Sequence, residues 1–390
     1  MITVDEALAH LFELSPRREV ETVPLRVASG RILACAVHAE RDQPPFAASA
    51  MDGYAVRSGD ARPGARLEVV GEAAAGHRWN GDLKPGQAVR IFTGAPLPVG
   101  ADRVIIQEDV DHTSSTIILN QGLDAGLHIR PAAADFAAGH TLEAPRRLRP
   151  HDIALLAAMN IAEVQVTRKP RVAIIATGDE LVMPGEAPGP DQIIASNIFG
   201  LAALIEENGG LANIMPIARD TSRSLEMAFD LARGADLIIT VGGASVGDHD
   251  LVGAVAAGLG MERAFYKIAM RPGKPLMAGR MGGSAMIGLP GNPVSAMVCA
   301  HVFILPVLRS MLGLGAATDT LIHAKLGEDL PENGPRAHYM RARLESGIVT
   351  PASSQDSALL TVLAGANALL IRPVRAPAAR KGDAAQVLLI

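Results

Sequence analysis

The sequence contains few aromatic residues, only two cysteines and no excess of positive charge. Phe, Trp and Tyr together make up 3% of the 390 residues, which argues against the base-stacking surfaces of proteins that bind single-stranded nucleic acid. Lys and Arg number 36 against 41 Asp and Glu, a net charge of −5, so no basic domain is available to hold a phosphate backbone. Cys35 and Cys299 lie far apart and outside any C-x-x-C spacing, which argues against a disulfide framework or zinc site and suits a reducing compartment.

The sequence also shows neither a signal peptide nor a membrane-spanning run. Its first residues, MITVDEALAHLFE, are acidic and amphipathic, unlike the charged and then apolar pattern of a secretory leader. The most apolar stretch, Met297–Leu308, contains His301 and Pro306 and is too short to cross a bilayer. We therefore expect a cytoplasmic protein.

Apolar residues, glycine and proline are well represented. The apolar share of 48% lies within the usual range of soluble globular proteins and provides enough material for several cores. At about 150 residues per domain, the length predicts two to four domains. The 39 glycines and 26 prolines are more than helix bundles need, and they indicate many shaped loops.

The middle of the chain repeats a pattern of strand, glycine-rich loop and helix. Three short apolar runs end in Gly or Pro: VAIIAT (Val172–Thr177), LIITV (Leu237–Val241) and AMIGL (Ala285–Leu289). Such runs are typical of strands buried on both faces of a parallel sheet. The pair Ser196 and Asn197 is a good helix start after the first run, and glycines at 209 and 210 predict its end. We therefore predict a doubly wound α/β domain.

Short β-like runs separated by turn signals flank this region on both sides. They are LEVVGE, AVRIF, RVIIQEDV and STIILN before it, and HYMRARLES, ALLIRPV and QVLLI after it. The fold class we predict is a multidomain α/β protein with four domains. Residues 1–45 and 143–170 form a discontinuous helical or linker domain, 46–142 a β-rich domain, 171–315 the α/β domain and 316–390 a C-terminal β-rich domain.

Polar loops follow the predicted parallel strands. They are TGDEL (Thr177–Leu181), GGASVGDHD (Gly242–Asp250), MRPGKP (Met270–Pro275) and LPGNPVSA (Leu289–Ala296). Ligands of open α/β sheets bind beyond the carboxyl ends of the strands. Cations and free amides there suit a phosphorylated ligand, and clustered carboxylates suit a divalent metal such as magnesium.

Each of these loops also has a purely structural interpretation. Asp248 and Asp250 alone would suit the first turn of the following helix, and so would Glu180. Arg271 and Lys274 alone would be a solvated turn, and the prolines alone would be scaffold. Elsewhere, Asp52-Gly53 reads locally as a hairpin turn. The convergence of several loops on one sheet edge favours a binding site.

In their order along the chain, these segments resemble the molybdenum insertases of the bacterial MoeA and gephyrin E-domain family. The matching pieces are SAMDGYA (Ser49–Ala55), RIFTGAPLPVGAD (Arg90–Asp102), TGDEL, IASNIFGLAALIEENGG (Ile194–Gly210), GGASVGDHD, RPGKP, GLPGNPVSA (Gly288–Ala296) and SALLTVLAGANALL (Ser357–Leu370). The resemblance covers nearly the whole chain. It depends on eight motifs together, since no single one would decide it.

The resemblance implies a homodimeric enzyme of molybdenum cofactor biosynthesis. Such enzymes take adenylylated molybdopterin and molybdate, use Mg²⁺, and release AMP. The α/β domain would bind molybdopterin, and the first β-rich domain of the other subunit would complete the cleft. Contact with the molybdopterin adenylyltransferase, and no interaction with nucleic acid or membrane, is expected as well.

The resemblance also implies a set of site residues. The catalytic candidates are Asp52, Asp135, Glu180, Asp220 and Asp250, of which Glu180 and Asp250 would hold the metal. The candidates for binding the substrate and its oxyanions are Ser196, Gly242, Gly243, Ser245, Arg271, Lys274, Pro290, Asn292, Pro293 and Ser295. Molybdate is a tetrahedral dianion, which suits the cations Arg271 and Lys274, the hydroxyl of Ser295 and the amides around Asn292.

The sequence departs from the family pattern at a few positions. The usual glycine and acid before Asp135 are Ala133 and Ala134 here, so the local backbone there is in question, and Ala244 replaces a commoner valine. Two other functions stay open: an adenylyltransferase acting on molybdopterin, and a non-catalytic scaffold like gephyrin. The sequence does not separate molybdate from tungstate as the oxyanion.

Overall fold

The computed structural model describes residues 1–15, 19–243, 251–317 and 320–390. The chain forms two compact units, one of Thr22–Val166 and one that joins Met1–Glu21 to Thr167–Ile390. Two of the predicted site residues, Ser245 and Asp250, lie outside the described residues. The four predicted domain boundaries stay predictions.

The chain begins with helix α1 (Val4–Leu14), whose start is a capping box. The Thr3 hydroxyl accepts from the Glu6 amide, and the Glu6 carboxylate accepts from the Thr3 amide, so two amides of the first turn are satisfied. Leu8 and Leu11 are buried on the face that packs against the helix Leu305–Leu312. This helix is therefore part of the second unit, with the α/β sheet.

The unit Thr22–Val166 is built from short strands. They are β1 (Val20–Pro24), β2 (Ile32–Leu33), β3 (Val37–His38), β4 (Ala48–Ser49), β5 (Gly53–Val56), β6 (Arg66–Ala73), β7 (Gln87–Ile91), β8 (Arg103–Ile106), β9 (Val110–His112), β10 (Thr116–Leu119), β11 (Ile129–Arg130), β12 (Thr141–Leu142), β13 (Arg146–Arg147) and β14 (Glu163–Thr167). Helix α2 spans Pro150–Ala158. The order β8-β5-β7-β6-β10-β9 makes a six-stranded sheet, which confirms the strands predicted from LEVVGE, AVRIF, RVIIQEDV and STIILN.

Segments 1–45 and 143–170, predicted as helical or linker, contain helices α1 and α2 together with short strands. They contribute a four-stranded sheet of order β1-β14-β2-β13, and α2 covers a core that includes Leu33, Leu156 and Val166. The runs ETVPL and EVQVT are rich in β-branched residues, which suit a pleated surface. The tertiary pairing of these short segments was not readable from local composition.

The hairpin interpretation of Asp52-Gly53 is wrong. Gly53 is the first residue of β5, which pairs with β7 and β8, whereas β4 pairs with β11. A Cβ atom at Gly53 would overlap the carbonyl oxygen of Ile105. Glycine is needed here because the backbones of β5 and β8 approach closely.

The second unit holds the predicted α/β domain. Its strands are β15 (Arg171–Ala176), β16 (Leu181–Val182), β17 (Ile193–Ile194), β18 (Leu211–Ile214), β19 (Leu237–Val241), β20 (Glu262–Phe265), β21 (Met270–Arg271), β22 (Met277–Met281) and β23 (Ser284–Leu289). Its helices are α3 (Asn197–Glu207), α4 (Ser222–Leu231), α5 (Leu251–Gly258), α6 (Pro293–Cys299) and α7 (Leu305–Leu312). The sheet order is β18-β15-β19-β23-β22-β20, parallel through β23 and antiparallel beyond it.

Helices cover both faces of this sheet, so the predicted doubly wound domain is confirmed. Ile175 and Ile238 pack with Leu225 of α4 and Val255 of α5, while α3 packs against β15 and α6. Alternate residues of a strand point to opposite faces, and each of the residues from Val172 to Ala176 is buried. Burial on both faces explains the continuous apolar runs of the sequence.

Helices α6 and α7 form one continuous helix whose middle turn, Ala300–Ile304, is a π-helix. Pro306 has no amide hydrogen to donate four residues back, so the hydrogen-bond ladder shifts there. The apolar helix is longer than the sequence suggested, and Pro293–Leu312 has the length and hydropathy of a membrane span. However, 72% of its most apolar window is buried inside the protein, as in the core helix of a globular domain.

The C-terminal region forms a small barrel. It contains β24 (Ile322–Leu326), β25 (Ala337–Glu345), β26 (Ile348–Pro351), helix α8 (Leu360–Ala364), β27 (Ala368–Arg372) and β28 (Ala384–Leu389). The sheet order is β21-β25-β26-β24-β28-β27, and an additional pairing between β25 and β27 closes it. Closure leaves no open edge among the five C-terminal strands, and it confirms the predicted β-rich character.

Candidate active site

A cleft of about 1200 Å³ opens at the carboxyl ends of β15, β19 and β23. This is the edge at which open α/β sheets bind ligands. Predicted site residues that line the cleft are Glu180, Ser196, Asp220, Gly242, Gly243, Pro290, Asn292 and Pro293. The fold therefore brings these eight residues together from five separate segments of the chain.

Glycines allow the first two loops of the cleft to approach each other closely. Gly242 and Gly243 have φ angles of +95° and +64°, in the region that side chains with a Cβ avoid. A Cβ at Gly242 would lie 2.6 Å from the carbonyl oxygen of Thr177. The wall of the cleft is consequently made of backbone at this point, where the Gly242 amide donates to the Leu289 carbonyl oxygen at 3.2 Å.

Glu180 stands on the loop that follows β15. Its carboxylate lies over Gly178, where a Cβ would overlap both carboxylate oxygens, and Gly178 has a φ of +148°. The Glu180 carbonyl oxygen accepts from the amide of Ile193 at 2.8 Å, which ties this loop to the small β16–β17 pair. Glu180 is exposed and lines the cleft, so its carboxylate is accessible to a ligand.

Asp220 is held beside the same loop by Arg219. The Arg219 guanidinium donates to the carbonyl oxygens of Asp179 and Leu181 at 3.0 and 3.2 Å. The amide of Asp220 donates to the Asp179 carboxylate at 3.2 Å. These bonds explain how a residue forty positions away in sequence reaches the TGDEL loop and contributes a second carboxylate to the cleft.

The loop Pro290–Pro293 is fixed from two sides. The Asn197 side-chain amide donates to the Gly291 carbonyl oxygen at 2.7 Å, and the Asn292 side-chain amide donates to Ser357 Oγ at 2.9 Å. Pro293 begins α6, where proline is tolerated because the first amides of a helix have no partner within it. The loop therefore presents its polar groups beside a helix N-terminus, which favours anions.

Several residues that the sequence did not single out belong to this site. Thr177 lines the cleft and is 2% exposed, and its Oγ1 is buried without a hydrogen-bond partner in the part of the chain that the structure describes. Asn197 and Ala358 also line the cleft. The position of Thr177 at the end of an apolar strand is a usable signal. Ala358 lies in the matching segment SALLTVLAGANALL, but no local pattern there indicates a place at the cleft.

Three predicted oxyanion-binding residues, Arg271, Lys274 and Ser295, are not among those that line the cleft. Arg271 lies on β21, opposite His338 of β25, and Arg271 and Lys274 are both exposed. Ser295 lies in the first turn of α6 and is 4% exposed. Pro275, at the end of the same RPGKP turn, does line the cleft.

Asp52 lies in the other unit, where Thr93 binds its carboxylate twice. The amide and the hydroxyl of Thr93 donate to Asp52 Oδ1 at 2.7 and 2.8 Å. These bonds, the backbone one first, lower the pKa of Asp52 below its ordinary value of 3.8, and the charge of Arg90 adds to the effect. Asp52 is therefore ionised at neutral pH.

Arg90 supports strand β5, which begins directly after Asp52. Its guanidinium carbon lies 4.9 Å from the ring centroids of both Tyr54 and Phe92, a distance at which cations and aromatic faces attract. It donates to the Gly53 carbonyl oxygen at 3.3 Å and to Gln107 Oε1 at 2.8 Å. The surroundings of Asp52 are thus fixed by an arginine that contacts two aromatic rings and the backbone of β5.

Asp135 lies in the same unit on a loop whose backbone is bound at two points. The amides of Asp135 and Ala133 donate to the carbonyl oxygens of Gln43 and Pro44, each at 2.9 Å. Ala133 has a φ of +58°, the left-handed conformation that glycine adopts without strain. The backbone question raised by Ala133 thus has an answer: the loop keeps a glycine-like conformation with alanine in it.

The described residues of the cleft include accessible carboxylates but no complete set of protein ligands for a metal ion. Within the described residues, no group of three or more His, Cys, Asp or Glu side chains could together hold a metal ion. Magnesium usually keeps several waters and binds through one or two carboxylates plus substrate phosphates. The accessible carboxylates of Glu180 and Asp220 fit that mode and do not fit a zinc site.

Comparisons with known proteins agree over the whole chain. Residues 2–160 match the MoeA N-terminal region (domain I and II), 173–310 a probable molybdopterin binding domain, and 323–390 the MoeA C-terminal region (domain IV).

Curated relatives are named molybdopterin molybdenumtransferase. The one from Nostoc is 36% identical over 96% of this chain and 90% of its own length, and the one from Bacillus subtilis is 33% identical over 100% and 94%. A crystal structure of the molybdopterin biosynthesis MoeA protein from Pyrococcus horikoshii superposes with a TM-score of 0.86 at 31% identity, covering 100% of this chain and 99% of that one. The chain belongs to the MoeA family of molybdopterin molybdenumtransferases.

Proposed function

We propose that this chain transfers molybdenum to molybdopterin, using adenylylated molybdopterin and molybdate as substrates and releasing AMP. The proposal is supported by membership of the MoeA family over the whole length of the chain. The observation that carries it is the cleft itself, whose polar lining combines open backbone, a helix N-terminus and accessible carboxylates.

The cleft residues suit a substrate that carries phosphate groups. Gly242, Gly243 and the loop Pro290–Pro293 expose backbone at the positive end of α6, where negative charge is stabilised. Among the described residues, the buried hydroxyl of Thr177 has no hydrogen-bond partner, and a polar group in that condition is stabilised when a ligand binds it. These groups would orient the phosphates and the pterin.

Magnesium is the cofactor that we assign to the reaction. Glu180 and Asp250 would hold it, with Asp220 close to Glu180 on the neighbouring loop. Bound there, Mg²⁺ would neutralise phosphate charge and polarise the bond between AMP and the pterin.

Further parts of the proposal concern the molybdate and the second subunit. Arg271, Lys274 and Ser295 would attract and hold molybdate at the margin of the cleft. Asp52 and Asp135 of the partner subunit would complete the site in a homodimer, Asp52 as a base or water-orienting carboxylate because it is ionised. We assign the protein to the cytoplasm and expect it to receive its substrate from the molybdopterin adenylyltransferase.

Incubation with adenylylated molybdopterin, MgCl₂ and molybdate tests the proposal. We expect AMP release and the formation of molybdenum cofactor, measured by chromatography and by reconstitution of a molybdenum enzyme. A folded protein that shows no molybdate-dependent turnover would contradict it. Consumption of ATP in place of the adenylylated pterin would indicate adenylyl transfer instead, and a parallel reaction with tungstate would measure the preference between the two oxyanions.

The metal assignment makes a separate prediction. Replacing the Glu180 carboxylate with an amide, Glu180→Gln, should lower the rate of AMP release by about 100-fold or more, because charge stabilisation at the breaking bond is lost. Asp250→Asn should have the same effect. Glu206→Gln, which changes an exposed residue of α3, is the matched control. AMP release at the wild-type rate and the wild-type Mg²⁺ dependence in Glu180→Gln would exclude this carboxylate from the metal site.

A further inference from the structure

The C-terminal barrel contains a buried arginine that binds a segment adjoining the cleft. Arg341, on β25, is 2% exposed. Its Nε and its amide donate to Gln355 Oε1 at 3.3 and 3.0 Å, and its Nη1 donates to the Asp356 carbonyl oxygen at 2.8 Å. The Gln355 side-chain amide donates back to the Arg341 carbonyl oxygen at 3.0 Å. Arginine and segment thus bind each other reciprocally.

This segment continues directly into contacts with the cleft loop Pro290–Pro293. Ser357 Oγ accepts from the Asn292 side-chain amide at 2.9 Å, and the Ser357 carbonyl oxygen accepts from the amide of Val294 at 3.1 Å. Ala358, the next residue, lines the cleft. Two consecutive residues of the C-terminal region therefore touch the loop and the cavity.

We propose that Arg341 and Ser357 are positioning residues that hold the cleft loop Pro290–Pro293 in its ligand-binding conformation, an inference that rests on the proposed function of this cleft. The side chain of Ser357 fixes Asn292, and Arg341 fixes the segment on which Ser357 stands. The C-terminal region thereby contributes Ala358 to the lining of the cleft and holds a loop that lines it as well.

The physical reason lies in the cost of leaving a buried charge without acceptors. A guanidinium group taken out of water must be hydrogen-bonded, and an uncompensated buried charge is strongly destabilising. Gln355 and Asp356 supply acceptors to Arg341. Movement of the segment away from β25 would leave the buried guanidinium without them, which is unfavourable. Ser357 is therefore held in a fixed place, and a fixed acceptor restricts Asn292 more than a mobile one would.

The loop Pro290–Pro293 depends on hydrogen bonds from neighbouring segments to keep its conformation. Pro290 and Pro293 restrict the backbone of the loop but donate no amide hydrogen themselves. The loop is bound on its other side by Asn197, through the Gly291 carbonyl oxygen at 2.7 Å. Ser357 supplies the corresponding bond to Asn292, so the two sides together define its conformation.

Amide hydrogen exchange of the unliganded protein tests the positioning role directly. Ser357→Ala should increase exchange of the amide at position 294, which donates to the Ser357 carbonyl oxygen, by about fivefold, the factor for one ordinary hydrogen bond. Ser353→Ala, at an exposed serine four residues earlier, should leave this exchange unchanged. Ser357→Thr, which keeps a hydroxyl, should restore protection. Unchanged exchange in Ser357→Ala would overturn the inference, whatever the protein's catalytic activity.

Steady-state kinetics supply the second readout. In Ser357→Ala we expect KM for adenylylated molybdopterin to rise about fivefold with kcat unchanged, since a loop that binds ground state and transition state alike affects KM alone. In a double-mutant cycle, Asn292→Ala and Ser357→Ala together should raise KM no more than the larger single effect, because both remove one bond. Additive effects would contradict the shared bond.

Arg341→Gln extends the test to the segment, with Arg341→Lys as a milder variant if the first does not fold. Faster exchange at position 294 in a variant that still unfolds cooperatively would support the role of Arg341, and wild-type exchange there would contradict it. The absence of turnover by the wild-type protein would refute the proposed function, while the exchange measurements would still decide the positioning role.

Discussion

At the scale of single residues, Thr93 controls the protonation of Asp52 through two bonds of unequal importance. The amide bond is the larger cause of the lowered pKa and the hydroxyl bond the smaller. Thr93→Val removes only the hydroxyl and keeps the shape of the side chain. We expect the pKa of Asp52 to rise toward its ordinary value of 3.8. Titration of the Asp52 carboxyl carbon by NMR measures this change.

The expected rise in the pKa of Asp52 also changes the pH dependence of any step that needs its ionised carboxylate. In the wild-type protein Asp52 stays ionised down to a pH below 3.8. In Thr93→Val the carboxylate becomes protonated at a higher pH. Thr113→Val, in an exposed turn of the same unit, is the control. An Asp52 pKa that does not move in Thr93→Val would mean that the hydroxyl bond does not stabilise the carboxylate in solution.

Ala133 offers a second test at this scale. Its φ of +58° costs an L-residue about 1 kcal/mol or more, whereas glycine adopts the same conformation freely. Since glycine also loses more entropy on folding, we expect Ala133→Gly to raise the free energy of unfolding by about 0.5 kcal/mol. Ala134→Gly, whose backbone has no positive φ, should be destabilising. Urea unfolding curves of both variants would show opposite shifts if the alanine is strained.

At the scale of secondary structure elements, the sequence predicted strands most accurately where every residue of the strand is buried. The runs VAIIAT, LIITV and AMIGL correspond within one residue to β15, β19 and β23, because a strand covered on both faces needs apolar residues throughout. Helix α3 begins at Asn197 and ends before Gly209, which has a φ of +93°. Caps and stops are local signals and can be read without knowledge of the fold.

Elements that depend on distant pairing could not be predicted in the same way. Strand β2 has only two residues and exists because β13 and β14 pair with it, so segment 1–45 gave no strand signal there. Gly53 looked like a turn residue because Asp-Gly favours hairpins. Its actual constraint is the Ile105 backbone, fifty residues away, and no local pattern encodes it.

Helix α2 provides a prediction about stability at this scale. Asp152 is 3% exposed; burial raises its pKa, but hydrogen bonds from the Arg149 amide and from the guanidinium groups of Arg146 and Arg149 bring the pKa down to about 2. A folded-state pKa below the unfolded value of 3.8 means that the ionised carboxylate stabilises the fold. This stabilisation is complete above about pH 4 and is lost as the pH falls toward 2.

Asp152→Asn should therefore lower the free energy of unfolding by about 2 kcal/mol at pH 7. It should also flatten the loss of stability between pH 4 and 2, since the titrating group is gone. Urea denaturation at a series of pH values measures both effects. Asp111→Asn, at an exposed position of the same unit, should change stability by less than about 0.5 kcal/mol. Equal acid sensitivity of wild type and Asp152→Asn would contradict the assignment.

At the scale of the whole molecule, the site consists of loops that are far apart in sequence. The order of parallel strands predicted that the loops after β15, β19 and β23 share one edge, and Glu180, Gly242 and Pro290 do line one cleft. Ala358 was beyond prediction because its place depends on the packing of the C-terminal barrel against α6. Contacts between folded domains leave little trace in local sequence patterns.

The proposed homodimer gives the last prediction, which concerns chain pairing. If Asp52 of one subunit works with Glu180 of the other, Asp52→Ala and Glu180→Ala homodimers are both inactive. A mixed dimer of the two variants, isolated with two different affinity tags, contains one intact cleft and one that lacks both residues. Its activity should be about half that of the wild-type dimer, because each cleft draws on both chains. AMP release by the purified mixed dimer measures it.

The reverse pairing separates this arrangement from a site made within one chain. A chain carrying both Asp52→Ala and Glu180→Ala is paired with a wild-type chain. In the shared arrangement each cleft then lacks one of the two residues, so the mixed dimer should be inactive. In a single-chain arrangement the wild-type subunit keeps a complete site, and about half of the activity remains. A shared cleft therefore requires activity in the first mixed dimer and none in the second, and a single-chain site requires the reverse. Loss of either subunit during purification cannot produce the pattern of a shared cleft.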